Sequence, residues 1–184
     1  MERRRGKGER REVTVFIRPA RDADLPQIIC VWQRNIRTAN TAEDIAELFS
    51  QFKKFFFVAS LHASTQEAER VAERAEKAEG AAGGKAEIVG FVAGSVKEDC
   101  GEPQGHISGI AVEPAFRRRG IATALLKRCE EAFRREGFKR ISLEVRPSNS
   151  AARSLYEKFG FKPAFVIRRY YADGEDALVY EKAI

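Results

Sequence analysis

The 184 residues are 43% hydrophobic and 33% charged. This balance excludes a disordered chain, and the length suffices for one domain with a sizeable core. No apolar run approaches the roughly 20 residues of a membrane span, and the basic N-terminus lacks the apolar segment of a secretory signal, so a cytoplasmic protein with no membrane contact is expected. The net charge is +6, and residues 1–12 supply +3 of it from six Arg or Lys against three Glu.

That segment (Arg3, Arg4, Arg5, Lys7, Arg10 and Arg11 among glycines) reads as a solvated, disordered tail. Its other use would be an electrostatic tether to RNA or a ribosome. No interleaved aromatics or nucleic-acid motif accompany it. The three cysteines, Cys30, Cys100 and Cys129, are far apart with no C-x-x-C, and the two histidines join no cluster of metal spacing. Neither a metal nor a disulfide framework is expected. Cys30 and Cys129 fall in apolar helix patterns, where a thiol is a small core residue.

In chain order, Val13–Arg18 has strand composition and stops at Pro19. Asp22 or Asp24 then caps a helix with Pro26 in its first turn and Leu25, Ile28, Ile29, Trp32 and Ile36 on one face. Thr41-Ala-Glu-Asp44 is a capping-box pattern opening a second helix with Ile45, Leu48, Phe49 and Phe52 inward. Phe55–Leu61 is a buried strand. Residues 63–85 are Ala, Glu, Arg, Lys and Gly with Val71 almost alone as a large apolar residue. They read as a charged helical insertion in a hairpin, because Ile88–Ser95 is again a strand.

Lys97–Gln104 reads as a polar loop. Gly105–Val112 is then a buried strand, followed by Arg117-Arg118-Arg119-Gly120-Ile121-Ala122 and a helix carrying Ile121, Leu125, Cys129 and Phe133 on one face. Such a helix start offers free N–H groups and a positive dipole end to an anion. Gly120 and Ala122 leave room for a close approach, and the arginines add forked donors. Gly137 breaks the helix. Arg140–Arg146 alternates as a strand, and Ser148 or Asn149 caps a helix with Leu155, Tyr156 and Phe159, ended by Gly160. Phe161–Tyr171 and Ala177–Glu181 are the last strands, with Asp173-Gly174 as their turn. The order β-α-α-β-β-β-α-β-α-β-β predicts an α+β fold, a mostly antiparallel sheet of about seven strands with four helices. The strands at 105–112 and 140–146 are joined through a helix and should be parallel neighbours. Residues 13–184 form one domain in this reading.

These motifs resemble the GNAT acyltransferase superfamily, and within it the protein N-terminal acetyltransferases of the bacterial ribosomal-protein and archaeal types. Arg117–Ala122 matches the family's Q/R-x-x-G-x-G/A. Leu143-Glu144-Val145-Arg146-Pro147-Ser148-Asn149, then Ala152, Leu155-Tyr156-Glu157-Lys158 and Gly160-Phe161, match its next segment. Tyr170-Tyr171-Ala172-Asp173-Gly174-Glu175-Asp176-Ala177 matches its Y-Y-x-D-G-E-D-A ending. The resemblance implies the GNAT fold, splayed at the cofactor site, and acetyl-coenzyme A as donor. It implies that Arg117, Arg118, Arg119, Gly120, Ile121 and Ala122 hold the pyrophosphate. Ile110, Ala111 and Val112 would pair with the pantetheine arm, Asn149 would contact that arm, and Tyr156 would face the sulfur. It makes His106 and Glu144 candidate bases, and Tyr170 and Tyr171 a clamp on the substrate backbone. Protein N-termini are the implied substrate, with a lysine side chain or small amine as the alternative. A monomer or weak dimer is expected. The family's aromatic and proline-rich loop between the first two helices has no counterpart in Asn35–Thr41, which leaves the preferred N-terminal residue open.

The chemistry is compatible with these residues. A protein α-amino group has a pKa of about 8 against about 10.4 for lysine, so deprotonation at neutral pH costs about 1 kcal/mol for the former and several times that for the latter. A modest base, Glu144 or His106, is enough, acting directly or through water. Tyr156 is a suitable donor to a departing thiolate, and a backbone N–H freed where the central strand splays would polarise a thioester carbonyl. No histidine is placed to activate a cysteine nucleophile, so direct transfer is expected.

Overall fold

The computed structural model describes residues 14–37, 39–62, 86–99 and 101–184. The expectations for the basic tail, for the charged insertion at 63–85 and for Cys100 lie outside the described residues.

Seven strands form one sheet in the order β1-β2-β3-β4-β5-β7-β6. They are β1 (Thr14–Pro19), β2 (Phe56–His62), β3 (Glu87–Asp99), β4 (Glu102–Val112), β5 (Arg140–Val145), β6 (Lys162–Ile167) and β7 (Ala177–Ala183). Every neighbouring pair is antiparallel except β4 and β5, which run parallel as expected from the helix that joins them. The helices are α1 (Leu25–Asn35), α2 (Ala42–Phe52), α3 (Ile121–Arg135) and α4 (Ser150–Phe159). The element order inferred from the sequence is the one found.

Two cores form, one on each face. Ile28 and Trp32 of α1 and Ile45 and Phe49 of α2 pack on Phe56, Val58, Phe91 and Ala93. Leu125, Cys129 and Phe133 of α3 and Tyr156 of α4 pack with Phe57, Ala59, Val92, Ile141 and Leu143. Strand β2 is apolar at successive positions because its two faces feed different cores. Gly94 and Gly105 admit Phe133: a Cβ on either would come within 2.8 Å of its ring.

Thr41 caps α2 as the sequence indicates, its Oγ1 accepting from Asp44 N at 3.2 Å while Asp44 Oδ2 accepts from Thr41 N at 2.7 Å. Four local expectations are corrected. Neither Asp22 nor Asp24 caps α1 with its side chain: Asp24 pairs with Arg18 at 2.6 Å and Asp22 with Lys53 at 2.7 Å. The polar stretch Lys97–Gln104 is mostly strand, because β3 and β4 continue as a hairpin in which Asp99 pairs with Glu102, beside Gly101 at φ 82°. Strand β6 ends at Ile167 rather than Tyr171. Arg169 adopts φ 51°, and Asp176 accepts from Arg169 N at 2.9 Å and from Arg168 Nη1 at 2.7 Å, which turns the chain. Finally, Cys129 is buried but Cys30 is exposed, on the outer side of α1.

Candidate active site

Strands β4 and β5 pair only at Gly105–Ile141 and His106–Ser142. The cause lies on the other side of β4. Opposite β3, Ala93 pairs with Gly109 and Gly94 with Ile107, so Ser108 is an extra residue in β4. A bulge of this kind bends its strand. Ser108 is held there by a 2.7 Å hydrogen bond between its Oγ and that of Ser95. Past the bulge, Ile110, Ala111 and Val112 pair with β3 alone, and no strand among the described residues pairs with their second edge.

The end of β4 leads to the basic loop. Arg117 is committed within the protein: its Nε donates to Val112 O at 2.8 Å and its Nη2 to Asn35 Oδ1 at 2.7 Å, tying β4 to the end of α1. Arg118 (φ 63°) and Gly120 (φ 79°) then reverse the chain into α3. The first helical bond runs from Ala124 N to Gly120 O at 3.0 Å, so the N–H groups of Ile121, Ala122 and Thr123 have no helical acceptor, and no side chain caps them. Nothing lies within 4 Å of the position a Cβ would take on Gly120. The result is an open cradle of backbone donors at a positive helix end, flanked by exposed Arg118 and Arg119.

On the sheet face opposite α3, the two-residue period of the strands lines up one polar row. Ser95 and Lys97 of β3, Gln104 and His106 of β4, and Ser142 and Glu144 of β5 share that face through the pairs Ser95–His106, Lys97–Gln104 and His106–Ser142. His106 is 3% exposed. Its Nε2 lies 3.2 Å from Glu144 Oε2 and its Nδ1 3.2 Å from Ser142 Oγ. Because the carboxylate only accepts, Nε2 carries the proton and Nδ1 accepts from Ser142. Lys97 Nζ donates to Glu144 Oε1 at 3.0 Å. Burial opposes ionisation of Glu144, but hydrogen bonding and charge from His106 and Lys97 outweigh it and hold the carboxyl at about 2. Burial pushes the His106 imidazole down against the opposing pull of Glu144, which keeps it neutral at pH 7. Ser142 and Lys97 were not singled out from the sequence. The alternation of β5 points to Ser142, whereas Lys97 falls in the stretch read as a loop.

Tyr156 belongs to the core on the other face, stacked edge-on to Phe161 at 5.9 Å. Burial, and next to it Tyr171, push its phenol well above the ordinary value. Tyr170 and Tyr171 meet edge to face at 5.0 Å in the loop after β6. Burial and the charge of Glu144 raise Tyr170. Tyr171 is pushed up to about 12 by burial, with Arg146 opposing and Tyr170, Glu144 and Glu175 adding. Tyr171 is therefore in electrostatic reach of both Glu144 and Tyr156. The loop is pinned from β5: the Arg146 guanidinium stands 3.8 Å over the Tyr171 ring and reaches Asp173 and Glu175, each at 2.8 Å. Glu175 Oε1 also accepts from Ser148 N at 2.9 Å. Asn149 caps α4, its Oδ1 accepting from Ala152 N at 3.1 Å, which leaves its amide as a donor.

A cradle of free backbone donors, a strand edge without a partner among the described residues and a gap between two parallel strands lie in sequence along β4 and α3. A model of the acetyltransferase (GNAT) family matches residues 42–161, well over half of the chain. The chain belongs to the GNAT acetyltransferase family. This GNAT chain is similar to an N-alpha-acetyltransferase of Sulfurisphaera tokodaii, 51% identical over 75 residues that make up 40% of this chain and 45% of that protein. It is likewise similar to an N-alpha-acetyltransferase of Saccharolobus solfataricus, 44% identical over 82 residues, 44% of this chain and 49% of that protein. The matched segments thus span about half the length of these curated relatives. Among solved structures, a ribosomal-protein-alanine N-acetyltransferase from Escherichia coli superposes with TM-score 0.67 at 27% identity, over 93% of this chain and 94% of that one. The GNAT fold itself extends to a chain of the NatC complex, solved with a peptide and CoA, at TM-score 0.75 and 20% identity over 92% of this chain and 98% of that one.

Proposed function

We propose that the protein transfers the acetyl group of acetyl-CoA directly to the α-amino group of protein N-termini, with residues 13–184 acting as one catalytic unit in the cytoplasm. The observation that carries this reading is that Glu144 stands just past the last paired residues of β4 and β5, within electrostatic reach of Tyr170 and Tyr171, with Tyr171 in turn in reach of Tyr156. The N-alpha-acetyltransferase relatives support it.

The residues present fit the cofactor. The uncapped donors of Ile121 and Ala122, the open space over Gly120 and the side chains of Arg118 and Arg119 suit a pyrophosphate. The unpaired edge of Ile110–Val112 and the free amide of Asn149 suit the amide groups of a pantetheine arm. Arg117 contributes through the loop it fastens rather than through its side chain. When bound, acetyl-CoA supplies an acetyl group on a thiol leaving group.

The acceptor amine approaches from the polar row. Glu144, held well below the usual carboxylate range by its hydrogen bonds to His106 and Lys97, is a poor direct acceptor for an amine proton of pKa about 8. Its role is to dock the amine, whose proton leaves to water. About a tenth of an α-amine is already neutral at pH 7. His106 fixes the carboxylate at Oε2, Lys97 occupies Oε1 until the amine arrives, and Tyr170 and Tyr171 enclose the peptide backbone. Tyr156, kept protonated by burial, donates its phenolic proton toward the departing sulfur.

The test is transfer to peptides with free or acetyl-blocked α-amines, each with and without lysine, the modified atom located by mass spectrometry. Acetylation of free α-amines whether or not lysine is present is the expected result. Acetylation confined to lysine in blocked peptides would overturn the assignment.

A further inference from the structure

The two oxygens of Glu144 are held unequally. Oε2 faces Nε2 of His106 at 3.2 Å, and that ring is buried and fixed by Ser142 as well. Oε1 faces Nζ of Lys97 at 3.0 Å, on a side chain that is 44% exposed. A protonated amine arriving at Glu144 has the same charge and the same three-donor head as a lysine ammonium. It therefore takes the place of Lys97 at Oε1 rather than that of His106 at Oε2. Lys97 is left as a cation on a four-carbon stem at the edge of the cleft, beside the first residues of the arriving peptide. Arg146, two residues beyond Glu144, is already committed to Asp173, Glu175 and the Tyr171 ring.

We infer that Lys97 is a specificity-determining residue that favours N-termini carrying a carboxylate, Asp or Glu, within their first two residues. The inference rests on the proposed transfer to α-amines and names the substrate class of that same site. With an acidic peptide, two ion pairs exchange partners: the α-ammonium takes Glu144, and Lys97 takes the peptide carboxylate. With a neutral peptide, Lys97 is returned to water. With a basic peptide, three cations crowd one carboxylate, which raises the cost of docking.

The experiment measures kcat/KM of the full chain on peptides that differ only in having Glu, Gln or Lys at the first or second position. Low and high salt are compared, in the native protein and in Lys97→Met and Lys97→Glu. A half-exposed ion pair supports a preference for Glu over Gln of about fivefold at low salt. The preference should be larger against Lys and should shrink at high salt. Lys97→Met should remove the dependence on peptide charge and Lys97→Glu should invert it, which a merely structural role for Lys97 would not do. Equal rates on the three peptides in the native protein, or a preference that survives in both variants, overturns the inference and leaves α-amine transfer standing. No transfer to any free α-amine overturns the proposed function, and this inference with it.

Discussion

In the proposed reaction Glu144 and Tyr156 carry the chemistry at the residue scale, and each makes a distinct demand. With Glu144 held at about 2, its ionisation does not change between pH 6 and 8. The pH dependence of kcat/KM in that range then belongs to the substrate amine, rising about tenfold per unit until the α-amine pKa near 8. Glu144→Gln should lower the whole profile without changing its slope, and a slope that flattens in the variant would return Glu144 to the role of direct base. Tyr156→Phe removes the donor to the sulfur and leaves a ring of the same size in the core. Stopped-assay kinetics should show kcat reduced about 100-fold, with the dissociation constant for CoA nearly unchanged. Stability also reports on the polar row. The folded state holds Glu144 and His106 below their ordinary values, so it binds fewer protons than the unfolded chain. Stability is full above the ordinary histidine value near 6.5 and is lost as pH falls through the carboxylate range. Urea midpoints should drop from pH 7 to pH 4, and His106→Gln should flatten the drop between pH 7 and 5.

At the element scale, the proposed cofactor contacts fall at the ends of the helices. Asn149→Ala removes the α4 cap, worth about 1 kcal/mol or a few degrees of Tm, together with the amide donor. Asn149→Asp keeps the accepting oxygen, loses the donor and adds a negative charge, so Tm should hold while CoA affinity falls. Gly120→Ala puts a Cβ at φ 79°, costing about 1 kcal/mol, and directs it into the open cradle. Calorimetry should show weaker CoA binding in that variant. The helix limits were legible because caps and apolar faces are written within a few residues: Thr41 with Asp44, Asn149, Gly160. Strand limits were not. The outer part of the β3–β4 hairpin carries the exposed charges Lys97, Glu98 and Glu102, and a polar stretch with Gly101 and Pro103 looks the same as a loop. Strand β6 stops at Ile167 through Asp176, a residue nine positions away that accepts from Arg169 N. No local pattern announces that contact.

Across the whole molecule, the site exists because the sheet opens. Tyr156 is packed with α3 and α4 on one face, and Glu144 and His106 lie on the other. They can act on one bond only through the gap where β4 leaves β5. The sequence marks the ingredients of that gap in Gly105–Val112 and Leu143–Asn149 but not its cause, the bulge at Ser108, since a bulge is a mismatch between two strands and neither strand reveals it alone. The same holds for the acidic ending Asp173-Gly174-Glu175-Asp176. Its motif is visible in the chain, but the contact it makes, holding Arg146 against the Tyr171 ring, needs the third dimension. In the proposed reaction cofactor and α-amine meet through this opening from opposite faces. The most direct measurement is the affinity of a conjugate joining the CoA sulfur through an acetyl bridge to a peptide α-amine, by calorimetry beside CoA alone and beside a conjugate attached through lysine Nζ of a blocked peptide. Linking two occupied subsites should tighten binding of the α-amine conjugate about 100-fold or more over CoA, with little gain for the lysine conjugate. An α-amine conjugate that binds no more tightly than CoA would contradict the account.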